Sequence, residues 1–365
     1  MSPVPHLSGA APHALPQPPP RLEHPREAAS EVYRVALMFG ICLLHSITFS
    51  QGERWLSLWR VLHLCVDGFA FLSGWYGLRF RPAKVVRLYA LAIGCGMIVL
   101  AAGHLTGRFP LQWSGEGLKA VHHACFGPWF LNAYLVLMLL APLVDGVLAW
   151  VPKRHWPAVV VPPLLLTFGW SFARDTRYLT LLMPRSAGVT SYTGLTLLGV
   201  YLLARLWRLG GWDRFLAGRR LWWAIALLLL ATACGAYCYA SPFAALLAGC
   251  LFLACRRVAW PAWLMRAAGF WGGSMFAVYL LHCNRLGLSL YEPLEQALMT
   301  HLHLPRYAAY FPATLVIFGA CALLDLPRRL LLAATARFWQ APLVWLDGCY
   351  RRWIGPEPDM PRPEP

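Results

Sequence analysis

An arginine and a histidine share one apolar stretch, "EVYRVALMFGICLLHSITF", from Glu31 to Phe49. Hydrocarbon penalises ionisable groups heavily, so Arg34 and His45 inside a segment apolar enough for a bilayer read as functional residues. They lie eleven residues apart. At about 100° per residue that spacing is within roughly 20° of three full turns, so both side chains leave the same helix face. The rise per residue separates them by about 16 Å along the axis. One face therefore carries a cation near one end and an imidazole past the middle. A guanidinium holds anionic groups such as phosphates, and an imidazole takes up or releases a proton near neutral pH.

The next apolar stretch runs through "LHLCVDGFAFLSGWYGLRFRPAKVVR" and carries Asp67. Antiparallel neighbours joined by a short loop would bring Asp67 and His45 to similar depth. A carboxylate beside a histidine fixes its tautomer and raises its basicity, the usual support for a general base. The alternative is a structural hydrogen bond between helices. Ser73 and Gly74 follow, a small pair that reads either as close helix packing or as the wall of a substrate cavity. Arg79, Arg81, Lys84 and Arg87 then form a basic cluster. It reads as a topology signal with attraction to anionic lipid, or as a site for a phosphate-rich donor.

Later stretches add Trp129 and Asn132 in "FGPWFLNAY", and Tyr279 and His282 in "GGSMFAVYLLHCN". These are cavity candidates, although His282 also reads as an ordinary interfacial histidine. His122–His123 and His301/His303 lack carboxylate or cysteine partners at ligand spacing, so the sequence gives no reason to expect a metal. The eleven cysteines fall mostly in apolar segments and include no CxxC pair, so they read as small apolar fillers.

The elements that must hold these residues follow from composition. The 365-residue chain is 58% hydrophobic and 13% charged, where soluble domains carry about 25% charge. Eighteen Trp and fourteen Tyr suit interfacial belts. A net charge of +16 would suit nucleic acid only with a basic face on a soluble domain; here the basic residues sit in short loops between apolar runs. Residues 1–28, "MSPVPHLSGAAPHALPQPPPRLEHPREA", are proline-rich without an apolar core and read as a disordered tail, not a signal peptide.

Ten apolar runs follow, near 33–50, 60–79, 85–105, 128–150, 157–173, 188–207, 221–239, 242–255, 269–289 and 308–326. Each is close to the ~20 residues that a bilayer requires, though the eighth is short and the fifth holds Pro162 and Pro163. With an inner N-terminus, 22 Lys and Arg fall on the inner side and 9 on the outer. That asymmetry predicts cytoplasmic termini. The expected fold is an all-α integral membrane bundle of about ten helices over 29–335, with a cytoplasmic C-terminal tail over 336–365.

Taken together these residues resemble the integral-membrane acyltransferase family 3, which O-acetylates surface polysaccharides. The family's pattern of a basic residue, ten residues and a histidine in the first span is matched by Arg34 and His45. Its acidic residue before an aromatic-rich "FFxLSG" is matched by Asp67 and "FAFLSGW", and its basic pair at three-residue spacing by Lys84 and Arg87. "PWFLNAYLVLMLLAPL" is similar to its fourth-span "WFLxxY…P", and "VYLLH" to its late "YLxH". The chain departs from it in having Lys84 where the family usually has Arg, Ala70 for a common Phe, and Cys283 where Pro is frequent.

The resemblance implies a multi-pass enzyme of the cell membrane, a bacterial inner membrane by analogy. It would move an acyl group, acetyl in the family, from cytosolic acyl-CoA to a hydroxyl of a cell-surface glycan or lipid-linked saccharide. Arg34, Lys84 and Arg87 would hold donor phosphates, and His45, oriented by Asp67, would act as general base. An acyl-histidine relay is the other mechanism. Ser73, Trp129, Asn132, Tyr279 and His282 would line the acceptor cavity. No permanently bound cofactor, metal or nucleic acid is expected; membrane lipids are. A multi-span transporter of a small anion or glycan precursor is the alternative, as is, less closely, a glycan polymerase.

Overall fold

Proline and glycine mark where helices begin and end in this chain. Prolines stand at the starts of helices at Pro82, Pro128, Pro242, Pro261 and Pro305, where a missing N–H costs nothing. Gly77 and Gly107 lie just past helix ends with positive φ, a conformation that side chains with a Cβ resist. Between these markers the chain is helical. The structure, a computed structural model, describes residues 25–49, 56–108, 115–175, 194–234 and 241–354, and no strand occurs among them.

The helices are α1 (Pro25–Phe49), α2 (Leu56–Leu62), α3 (Leu64–Tyr76), α4 (Pro82–Leu105), α5 (Gly115–Phe126) and α6 (Trp129–Trp150). After a short 3₁₀ turn come α7 (Trp156–Asp175), α8 (Gly194–Gly210), α9 (Trp212–Phe215), α10 (Arg219–Cys234) and α11 (Pro242–Arg257). The last are α12 (Ala262–Gly272), α13 (Met275–His282), α14 (Arg285–Leu288), α15 (Tyr291–Leu302), α16 (Arg306–Ala334) and α17 (Ala336–Ile354).

Each of the ten apolar runs coincides with one to three of these helices, but fewer have the length of a straight span. Among the described residues four helices are long and apolar enough to cross a membrane: the Ala28–Phe49 part of α1, α4, α6 and α16. Counting α12 and α13 as one span, bent by 54° at its break, makes five. The run at 60–79 is broken at His63 into α2 and α3, of 7 and 13 residues. The run at 242–255 forms the 16-residue α11, about 24 Å long against a hydrocarbon core of about 30 Å. The runs at 188–207 and 221–239 are described only from Gly194 and up to Cys234, and the side chains of 170–175 in α7 also lie outside the described residues. The expected tail over 1–28 lies outside them up to residue 24, and α1 already begins at Pro25. The expected C-terminal tail is instead helical over α17, which joins α4: the Ala83 amide donates to Asp347 and Phe80 packs on Tyr350. Residues 355–365 lie outside the described part.

The core surrounds α3, which small residues let its neighbours approach. A Cβ at Gly68 would lie 2.6 Å from Leu37 Cδ2, and one at Gly74 would meet Ala204 Cβ at 2.7 Å. The close approach of α3 to α1 and α8 therefore depends on glycine at both positions. Phe71, Trp207 and Phe252 then fill the interior, Phe71 meeting the Trp207 ring edge-on at 5.5 Å between centroids. The turn after α3 is tied to α8 by polar contacts. Tyr201 Oη accepts from the Leu78 amide and donates to Asp145 at 2.9 Å, and Arg205 donates to the same carboxylate at 2.7 Å. Arg205 is buried and Asp145 partly so, and both are paired with good geometry, which makes the turn a fixed point.

Candidate functional site

A cavity of about 710 Å³ opens along α1 from Ser30 to Phe49. That stretch covers about 28 Å of helix axis, close to the hydrocarbon thickness of a bilayer. Arg34 and His45 both line it, as their eleven-residue spacing on one face requires. Ser73, Lys84, Trp129 and Tyr279 line it as well. The small pair Ser73–Gly74 divides its work, for the serine faces the cavity while the glycine admits α8.

At one end of the cavity His45 meets His282 of α13, with Nδ1 of the first 2.9 Å from Nε2 of the second. His282, expected to line the cavity, is fully buried behind His45 and does not line it. Its Nδ1 lies 2.6 Å from the Val278 carbonyl one turn earlier, which accepts only. The proton of a neutral His282 is therefore on Nδ1 and its Nε2 is an acceptor. His45 must then donate from Nδ1, and its Nε2 keeps the lone pair. The chain of two hydrogen bonds thus assigns His45 the tautomer of a base. Tyr279, one turn before Cys283 on α13, anchors this helix by accepting the Phe130 amide at 3.1 Å. On α1 the neighbouring Ser46 donates to Glu295 of α15 at 2.5 Å, and Thr48 accepts from Trp59 at 2.9 Å. The histidine pair is thus held from both sides.

Asp67 does not take part. It is fully buried, does not line the cavity, and neither of its oxygens has a hydrogen-bond partner among the described residues. The register explains why. The second helical run starts at Leu56, so Asp67 lies eleven residues into it, whereas His45 is four residues from the end of α1. The neighbouring Gly68 abuts Leu37 and Tyr33, not His45, and Leu37 is about 12 Å along the axis from His45.

The opposite end carries the cations, each already engaged. Arg34 forms an ion pair with Glu31 one turn earlier, at 2.7 Å. Lys84 donates to Tyr134 Oη at 3.2 Å and lies over that ring. Arg87 is exposed, stacked on Trp339 of α17 at 5.0 Å, and outside the cavity lining. Asn132 also lies outside it, donating to the Phe126 carbonyl at the end of α5, where it caps an otherwise open backbone group.

Two lining residues near His45 escaped the sequence reading. His63 stands at the α2–α3 break with Nδ1 2.8 Å from the Trp59 carbonyl. Cys283 follows His282 directly. A helix break and a thiol one residue past a histidine leave no periodic signal, so neither was legible beforehand. Comparison of the chain with family models, with curated proteins and with solved structures gives no match.

Proposed function

We propose that this protein is a membrane O-acyltransferase, with acyl-CoA at the Arg34–Lys84 end of the cavity and a hydroxyl acceptor at the His45 end. The observation that carries the reading is the hydrogen bond to buried His282 from His45, which lines a cavity that also reaches Arg34 and Lys84. His45 Nε2 would take the acceptor's hydroxyl proton as oxygen attacks the thioester carbonyl; the thiolate of coenzyme A leaves and is protonated. The imidazolium formed on His45 can share its charge with His282 through the Nδ1–H bond, the part expected of Asp67. Lys84 is the foremost donor contact, because Arg34 must first exchange Glu31 for phosphate. Acetyl transfer to a surface glycan or lipid-linked saccharide is the specific form suggested by the family resemblance.

A multi-pass topology of ten crossings with both termini cytoplasmic, in a bacterial inner membrane, belongs to the same proposal and is supported by the distribution of Lys and Arg. Reporters placed after Pro365 and in the 108–123 segment, which includes most of α5, should read opposite sides; the same side would end that topology.

One observation favours a second reading. The bent α12–α13 pair, broken beside a cavity along the bilayer axis, is a feature transporters use at their binding sites. The assay that separates the two uses purified protein in detergent with radiolabelled acetyl-CoA and an oligosaccharide acceptor. Label on the acceptor supports acyl transfer. Its absence, together with saccharide uptake by proteoliposomes, supports transport.

A further inference from the structure

Three ligating side chains meet at the histidine end: His45 from α1, and His282 and Cys283 from the end of α13. One ligand atom from each lies within 4.8 Å of the others. Tetrahedral zinc bound at about 2.0–2.1 Å by nitrogen and about 2.3 Å by sulfur needs neighbouring ligand atoms roughly 3.3–3.6 Å apart. The two nitrogens at 2.9 Å would have to open by only a few tenths of an ångström. From this cluster we infer that His45, His282 and Cys283 form a binding site for a thiophilic divalent cation of the zinc and cadmium class, which switches off His45 as a base.

Two further features support a ligand set over chance proximity. His282 already donates its Nδ1 proton to the Val278 carbonyl, the outer-shell contact that metal-binding histidines use to aim the other nitrogen. The thiol, too, is held in place. Buried Asn284 accepts the Leu286 and Gly287 amides at 2.9 and 3.0 Å and donates back to the Leu280 and Leu281 carbonyls, which pins the corner on which Cys283 sits. His45 and Cys283 both line the cavity, so an ion has an entry path and a fourth position for water or an anion. Two nitrogens and a sulfur favour zinc or cadmium over hard cations such as magnesium.

Binding exchanges protons for the ion. The Cys283 thiol loses its proton to solvent, and where Nδ1 of His45 becomes the ligand its proton passes through solvent to Nε2, so the ring stays neutral. Whichever nitrogen of His45 coordinates, the other carries the remaining proton, so no lone pair is left to accept one from a substrate. The inhibitory consequence rests on the acyl-transfer reading; the site itself does not.

The test titrates full-length protein in detergent with Cd²⁺ and follows the thiolate-to-cadmium charge-transfer absorption, with Zn²⁺ as competitor and Mg²⁺ as control. One equivalent should produce the band, Zn²⁺ should abolish it and Mg²⁺ should not. Cys283→Ser should lose it, and His282→Gln should weaken affinity by at least the roughly 10- to 100-fold that losing even an outer-shell partner costs. In the acylation assay Zn²⁺ should inhibit the wild type, and the ratio of each variant's rate with and without Zn²⁺ should return to one in Cys283→Ser. A wild type without the band, or a Cys283→Ser variant that keeps it at wild-type affinity, overturns the site. A protein that shows the band and its loss but transfers no acyl group retains the metal site and fails the acyl-transfer reading alone.

Discussion

The two ends of the cavity are built differently. At the histidine end the side-chain bonds that join one helix to another span long stretches of the chain: His45 with His282, Ser46 with Glu295, the Phe130 amide with Tyr279. At the cation end the partners of the side chains that line it are close in sequence or exchangeable. Arg34 binds Glu31 one turn away with more than a third of its side chain exposed, and Lys84 rests on a tyrosine hydroxyl. Exposed ion pairs within a helical turn are worth only a fraction of a kcal/mol. A site that must hold a proton acceptor in one tautomer gains from fixed geometry, whereas a site that must capture and release a charged donor gains from partners that exchange cheaply. On the proposed acyl-transfer reading the contrast fits chemistry at the first end and donor binding at the second.

Removing the imidazole should break the comparison most severely. His45→Ala and His45→Gln should each lower acyl transfer by about 10² to 10⁴, the usual cost of losing a general base, at unchanged membrane expression. Turnover at saturating donor is the measurement, and near wild-type turnover in His45→Gln would reduce the residue to packing. His282→Gln comes next, with a loss of roughly 10- to 100-fold as for other orienting partners. The fall should appear in kcat with little change in donor KM, and Asp67→Asn measured beside it should leave kcat at the wild-type value.

The cation end should respond in the other parameter. Lys84→Ala should raise donor KM by about tenfold, corresponding to about 1.4 kcal/mol for one charge-assisted contact, while kcat stays within error. Arg87→Ala, outside the cavity, serves as its comparison; an equal rise there would restore Arg87 to the donor site. The smallest effect belongs to Glu31→Gln. Freeing Arg34 from its ion pair should lower donor KM roughly two- to threefold, which binding of acyl-CoA to the purified variant would detect. A weaker donor interaction would mean that Glu31 positions Arg34 instead of competing for it.

Much of this arrangement is written locally. The spacing of Arg34 and His45 places both on one face, and both line the cavity. Apolar runs locate the helices, and prolines and glycines mark where many of them start and stop. The pairing of His45 was not legible, because its partner is 237 residues away in sequence and no periodicity links α1 to α13. Asp67 was the natural choice from a simple hairpin. That argument failed on register, since α2 starts earlier than the apolar run suggested and the break at His63 divides the crossing. Asn132 illustrates another limit. Its sequence neighbours Trp129 and Tyr134 line the cavity, but a helix turns about 100° per residue, and Asn132 faces outward to cap α5.

The tautomer of His45 is the point on which the account turns, and it is directly observable. The protein can be labelled with ¹⁵N-histidine, and the His45 and His282 ring signals assigned by their loss in His45→Gln and His282→Gln. The account predicts a protonated Nδ1 and an unprotonated Nε2 on His45, with the Nδ1 proton coupled across a hydrogen bond to His282 Nε2. A His45 protonated on Nε2, with its lone pair on Nδ1, would contradict it, for no acceptor would then be left to take the proton of a substrate hydroxyl.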